Sequence, residues 1–149
     1  MILNKTLLFS SLLLGVLRRN SIVAREMSGE CAANNTSYVP GTHSIAYITI
    51  DTEDKAKQLA HNIVTNKLAA CVNIIPKILS VYEWEGKINE DPEVLMMVKT
   101  RTSQIDALTT YVKANHPYTV CEVISIPISN GNDAYLKWIS ETVPLPKCK

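Results

Sequence analysis

The chain has 149 residues, 46% of them apolar, 19% charged and 6% aromatic, with five glycines and seven prolines. That length suits one domain able to bury a core without staples, and the composition excludes collagen-like, coiled-coil and disordered classes. Fifteen Lys+Arg against fourteen Asp+Glu leave a net charge of +1, so there is no overall basic footprint for nucleic acid.

The charge is unevenly placed. Lys5, Arg18, Arg19 and Arg25 face only Glu26 in the first 27 residues, whereas residues 28–149 carry 11 bases and 13 acids. Thr6–Leu17 is uncharged and mostly apolar, and as a helix it would rise only about 18 Å, short of a hydrocarbon layer of about 30 Å. A positive flank before such a run is the pattern of a secretory signal. Residues 1–26 therefore read as a leader for the secretory route or a membrane. Its arginines and late first acid also suit a mitochondrial presequence, and an inert leader is the third option. Met27 offers a second start that would give a cytosolic product. Residues 27–43 read as a linker, punctuated by Gly29, Pro40 and Gly41, with Asn34 and Asn35 in N-x-S/T patterns.

The folded unit is expected over residues 44–143, with 144–149 as a tail. Ser44–Ile50 is β-branched and aromatic and reads as a strand. Asp51 or Thr52 caps a helix whose Ala56, Leu59, Ala60, Ile63, Val64 and Leu68 form one apolar stripe. Val72–Trp84 is a second strand, bulged or on an edge at Pro76. Glu85-Gly86-Lys87 turns it into an antiparallel third strand, Ile88–Thr100. Ser103 and Asp106 suggest a capping box for a second helix with Ile105, Leu108 and Val112 inward, ended by His116-Pro117. Cys121–Ile128 is a fourth strand, and Asp133–Glu141 a closing helix with Tyr135, Leu136 and Trp138.

The order β-α-β-β-α-β plus a terminal helix predicts an α+β, ferredoxin-like sandwich. A sheet with one wet face should alternate apolar and polar residues. Val94-Leu95-Met96-Met97-Val98 does not, so both faces of that strand demand cover. A second subunit is the expected cover, with the C-terminal helix as the alternative.

Cys31, Cys71, Cys121 and Cys148 stand far apart with no CxxC, which favours free thiols over bridges or a zinc site. No nucleophile elbow, phosphate loop, HExxH or Ser-His-Asp pattern is present. His43 falls in the linker and His61 on a polar helix face. His116 lies at a helix exit near Tyr118 and Glu122, where Lys99 would complete a polar cluster. That cluster reads equally as an interface network or a ligand site. Cys71 and His116 are the candidate metal donors, although two ligands do not make a site.

Leu68-Ala69-Ala70-Cys71-Val72-Asn73, Tyr82-Glu83-Trp84-Glu85-Gly86-Lys87, Val98-Lys99-Thr100, His116-Pro117-Tyr118 and Tyr135-Leu136-Lys137-Trp138-Ile139 together resemble the CutA divalent-cation-tolerance family across residues 44–142. Tyr38-Val39-Pro40-Gly41 and the leader resemble its animal members. The resemblance implies a homotrimer of ferredoxin-like subunits, no catalytic activity and no required cofactor. It also implies links to copper or another divalent cation, and, through the vertebrate members, to the membrane anchoring of acetylcholinesterase. Cys71 and His116 fall on family positions associated with copper, while Ile48 and Asn115 stand where bacterial members place a further cysteine and histidine. Cys121 stands where many members have proline. Two functions follow: a non-enzymatic trimeric metal-responsive protein or scaffold, or a regulatory trimer binding a small molecule in inter-subunit clefts lined by Tyr82, Trp84, Lys99, His116, Tyr118 and Glu122.

Overall fold

The structure, a computed structural model, describes residues 38–145; the expected leader, most of the linker, the Asn34 and Asn35 patterns, Cys31, Cys148 and the end of the tail lie outside them. Four strands, β1 (His43–Ile50), β2 (Cys71–Trp84), β3 (Lys87–Arg101) and β4 (Ile124–Pro127), form one antiparallel sheet in the order β2-β3-β1-β4. Three helices, α1 (Glu53–Thr65), α2 (Ile105–Asn115) and α3 (Asp133–Thr142), complete the predicted β-α-β-β-α-β-α order.

The alternation of β1 and β3 decides where the core sits. Ala46, Ile48 and Ile50 point to the same side as Val94, Met96 and Val98, and all six are buried under Ala56, Leu59, Ala60 and Ile63 of α1 and Leu108 and Val112 of α2. Thr52 caps α1, its Oγ1 accepting from the Lys55 N–H at 3.4 Å.

The opposite face carries Ile45, Tyr47 and Thr49 of β1 in register with Lys99, Met97 and Leu95 of β3, flanked by Cys71, Asn73 and Ile75 of β2 and by Ile124 and Ile126 of β4. α3 lies over one end of this face only. The Arg101 guanidinium donates to the Val143 and Ser140 carbonyls at 2.7 and 2.6 Å, the His43 ring bonds the Ser140 hydroxyl at 2.8 Å, and Gln104 Nε2 donates to the Pro144 carbonyl at 2.8 Å. Ile75, Ile124 and Ile126 remain 40%, 56% and 57% exposed, so the C-terminal helix does not cover the face.

Pro76 produces the expected bulge: Pro76 and Lys77 together oppose Val94, and Lys77 takes φ +63°. The extra residue switches the phase of β2, so odd residues before it (Cys71, Asn73, Ile75) share the open face with even residues after it (Ser80, Tyr82, Trp84). The loop Glu85-Gly86 has φ +51° and +74°, the two positive values of a type I′ hairpin turn. Leu79, Val81 and Ile88 on one side of this hairpin and Tyr82 and Trp84 on the other are all exposed.

Three expectations are corrected. His43 is not linker; it opens β1 and is buried, with the Tyr38 ring stacked on it at 5.6 Å. The Ser103–Asp106 capping box does not form, because Thr102–Gln104 is a 3-10 turn and no side chain caps α2. The fourth strand is Ile124–Pro127 rather than Cys121–Ile128, because the chain spends residues 116–123 leaving α2 before it meets β1.

Candidate functional site

Two polar groups sit at opposite ends of the open face. The first is built where α2 ends. His116 takes φ −93° and ψ 143°, the extended geometry its following proline enforces. Its Nε2 donates to the Thr49 carbonyl at 2.8 Å, and its Nδ1 accepts the Tyr118 N–H at 3.1 Å. The Tyr118 ring meets the imidazole edge-on at 5.0 Å.

Tyr118 reaches the carboxylate of Glu93, which is only 7% exposed and also accepts from Ser80 Oγ at 2.5 Å. Burial, then the Glu93 hydrogen bond and the charges of Glu93, Asp51 and Asp91, hold the Tyr118 phenol far above its ordinary range. Farther along the hairpin the Tyr82 hydroxyl donates to Asp91 Oδ2 at 2.5 Å, a bond that raises its pKa in turn. Asp51, at the end of β1, pairs with Lys55 at 2.5 Å and leaves its Oδ1 buried without a partner. This end of the face is acidic and rich in hydroxyls. His116 also lines a shallow groove of about 430 Å³ with Ile50, Lys55 and Leu59.

The second group is cationic. Lys99 is 6% exposed, and its Nζ donates to Asn73 Oδ1 and to the Met97 carbonyl. Cys71 stands directly across the ladder from it, a partly buried free thiol. Burial first, then the neighbouring Cys71, raises the pKa of Tyr135 of α3.

The predicted cleft residues are thus divided within one chain. His116 and Tyr118 meet, and Tyr82 and Trp84 lie on the open-face side of the hairpin. Glu122 is half-buried in the loop that follows. Lys99 lies in register with Ile45, four residues from Thr49, which at about 3.3 Å per residue is roughly 13 Å away along the strands. Cys71 shares the Lys99 end and His116 the Thr49 end, so the two candidate metal donors stand apart. Sequence reasoning did not single out Glu93, Ser80, Asn73 or Tyr135 as site residues. Glu93 was findable, as an acid between Pro92 and Val94 in phase with the open face.

The CutA1 divalent ion tolerance protein family model matches residues 44–142, two-thirds of the chain. The chain belongs to that family. Among CutA1 relatives it is 57% identical to a CutA homolog of Xenopus laevis over 108 residues, covering 72% of each chain, and 51% identical to human CutA over 108 residues. It spans 72% of the frog protein and 60% of the human one. The crystal structure of CutA1 from Oryza sativa superposes with a TM-score of 0.68 at 50% identity, covering 71% of this chain and 95% of that one. The divalent cation tolerance protein of Thermus thermophilus superposes with a TM-score of 0.67 at 43% identity, covering 68% and 99%.

The family name raises the question of an ion. Within one chain the described residues do not form a divalent-cation site. Both His116 nitrogens are engaged, Cys71 has an ammonium across the ladder, and no cluster of three or more His, Cys, Asp or Glu suited to a metal exists among the described residues.

Proposed function

We propose that the protein works as a homotrimer, without catalytic chemistry of its own, that serves divalent-cation tolerance by binding ligands in clefts between copies. The open sheet face is the observation that carries this reading. Ile75, Ile124 and Ile126 are exposed there beside half-buried Ile45, Tyr47, Leu95 and Met97. Burying each such side chain contributes about 1.5–3 kcal/mol, and a two-stranded hairpin bare on both sides is marginal alone. A ring of copies covers both. Head-to-tail contact in a ring sets one end of each face against the other end of its neighbour. That supports a cleft drawing Tyr82, Trp84, His116, Tyr118 and Glu122 from one copy and Lys99 from the next. Native mass spectrometry is expected to give three times the 16.5 kDa of one chain; a stable folded monomer would remove the clefts.

Copper binding is the second reading, favoured by the partly exposed thiol of Cys71, a soft donor. Association with acetylcholinesterase rests on the likeness to animal members and is tested by co-precipitation with the enzyme. Routing by the leader is tested with a C-terminal fluorescent tag, with and without Met1–Glu26; a diffuse cytosolic signal in both cases would reject it.

A further inference from the structure

The link between β4 and α3 is tied down at both ends and unbonded between them. The Ile128 N–H donates to the His43 carbonyl at 2.8 Å, and the Ile128 carbonyl accepts from the Gly41 N–H and the Tyr38 hydroxyl at 2.9 and 3.0 Å. Asn132 caps α3, its Oδ1 accepting from the Tyr135 N–H at 3.2 Å and its carbonyl from the Leu136 N–H at 2.9 Å. Between these anchors Asn130 and Gly131 are exposed and outside any helix or strand. Neither the Asn130 carboxamide nor the Gly131 N–H makes a hydrogen bond. Asn130 is also the one asparagine in the chain that precedes a glycine. The other described asparagines are held: Asn66, Asn89 and Asn115 donate to nearby carbonyls, Asn73 accepts from Lys99, and Asn62 lies inside α1.

Glycine has no Cβ to shield its backbone nitrogen, so the Gly131 nitrogen can reach the Asn130 Cγ. We propose that Asn130-Gly131 is a site of spontaneous deamidation that marks the age of the chain. The Gly131 nitrogen bonds to Asn130 Cγ as the bond from Cγ to the amide nitrogen breaks. The Gly131 proton leaves with that amide as ammonia, and a five-membered succinimide closes. Water then opens the ring at either carbonyl, giving aspartate or isoaspartate, in which the main chain runs through the former side chain. The step consumes water and no other reactant. It lies past Pro127, the last residue of β4 in register with β1, and so off the sheet face assigned to neighbouring copies. Either product adds a carboxylate and takes the formal charge of the chain from +1 to zero. The isoaspartyl product also inserts a methylene into the backbone where it packs on α3, since a Cβ at Gly131 would stand 3.4 Å from Cδ1 of buried Leu136. That insertion loosens the helix that Arg101 and His43 hold over the end of the sheet.

The test incubates the whole chain, in whatever assembly it adopts, in mildly alkaline buffer and follows it by peptide mapping. Residue 130 is expected to gain the mass difference between NH2 and OH, as two products separable by chromatography. Only the isoaspartyl one accepts a methyl group from an isoaspartyl methyltransferase. Gly131→Ala, whose new methyl meets Leu136 at ordinary contact distance, slows the reaction at least tenfold because its Cβ crowds the attacking nitrogen. Asn130→Gln, an exposed change that lengthens the side chain out of five-membered closure, removes it. An Asn130 that stays intact in the folded chain for as long as a synthetic peptide of residues 126–136 takes to react fully overturns the proposal. So does a mass gain that falls on Asn115 or Asn132 instead, or a Gly131→Ala chain that reacts as fast as wild type. An isoaspartyl fraction that melts at the same temperature as the aspartyl one overturns the coupling to α3.

Discussion

The phenol of Tyr118 lies beside the buried carboxylate of Glu93, which helps to hold it protonated and links the loop after α2 to the base of the β2–β3 hairpin. Removing that hydroxyl leaves a buried acceptor short of one donor, which costs about 1–3 kcal/mol. Tyr118→Phe is therefore expected to lower stability by that amount in chemical denaturation. Tyr118→Phe combined with Glu93→Gln is expected to cost less than the two single changes added.

The exposed isoleucines of the sheet predict the behaviour of the assembly. Ile126→Lys places a charge on the β4 edge of the open face. Light scattering is expected to report loss of the trimer, with circular dichroism retaining the helices, because the core under α1 and α2 is untouched. A trimer that survives the change would place the interface elsewhere.

His43 makes stability depend on pH. Burial, and then the charge of Arg101, lower its pKa below 6.5, so the folded chain holds it neutral and its Nδ1 has no partner. Between the folded and the unfolded pKa the unfolded chain binds more protons, so stability falls as pH drops below 6.5. Denaturation midpoints measured from pH 7.5 to 5 are expected to decline for wild type. In His43→Gln, which keeps a polar group facing Ser140, the slope should flatten.

The bulge at Pro76-Lys77 accommodates one extra residue in β2. Deleting Lys77 removes the extra residue and its phase switch together, so Ile78 stays opposite Glu93 and Tyr82 and Trp84 keep the open face. In a Trp138→Phe background, where Trp84 is the single tryptophan, its emission maximum and the native mass are expected to be unchanged by the deletion. A shifted maximum or a lost assembly would show that the bulge itself, and not only the register it preserves, is needed.

The ring contacts of His116 predict the outcome for copper. With Nε2 on the Thr49 carbonyl and Nδ1 on the Tyr118 amide, His116→Ala is expected to destabilise the fold and leave Cu(II) affinity unchanged in calorimetry. Cys71→Ser is the change that should reduce it. A loss of Cu(II) binding in His116→Ala at unchanged stability would overturn the structural role.

The elements were largely legible because their signals are local. The stripe of α1, the stop at His116-Pro117 and the turn at Glu85-Gly86 each rest on a few adjacent residues. The five apolar residues Val94–Val98 correctly announced a strand with two greasy faces, of which the chain itself covers one. The site was less legible because its pairs are long-range. Nothing near Lys99 in sequence reveals that Cys71 lies opposite and that Tyr135 arrives from α3. His43 was misplaced because its burial comes from Tyr38 and Ser140, one of them 97 residues away. The capping box failed for a different reason: a 3-10 turn supplied the backbone bond that a side chain would have made.

In the proposed trimer, the hairpin arm, bare on both sides in a lone chain, would give newly made protein a deadline. Until copies met, Leu79, Val81, Trp84 and Ile88 would be available to proteases and to sticky encounters. Encounter frequency rises with concentration, so scarce subunits would be cleared and abundant ones would survive by joining. Cellular supply of this protein should accordingly show a threshold rather than track its synthesis rate in proportion.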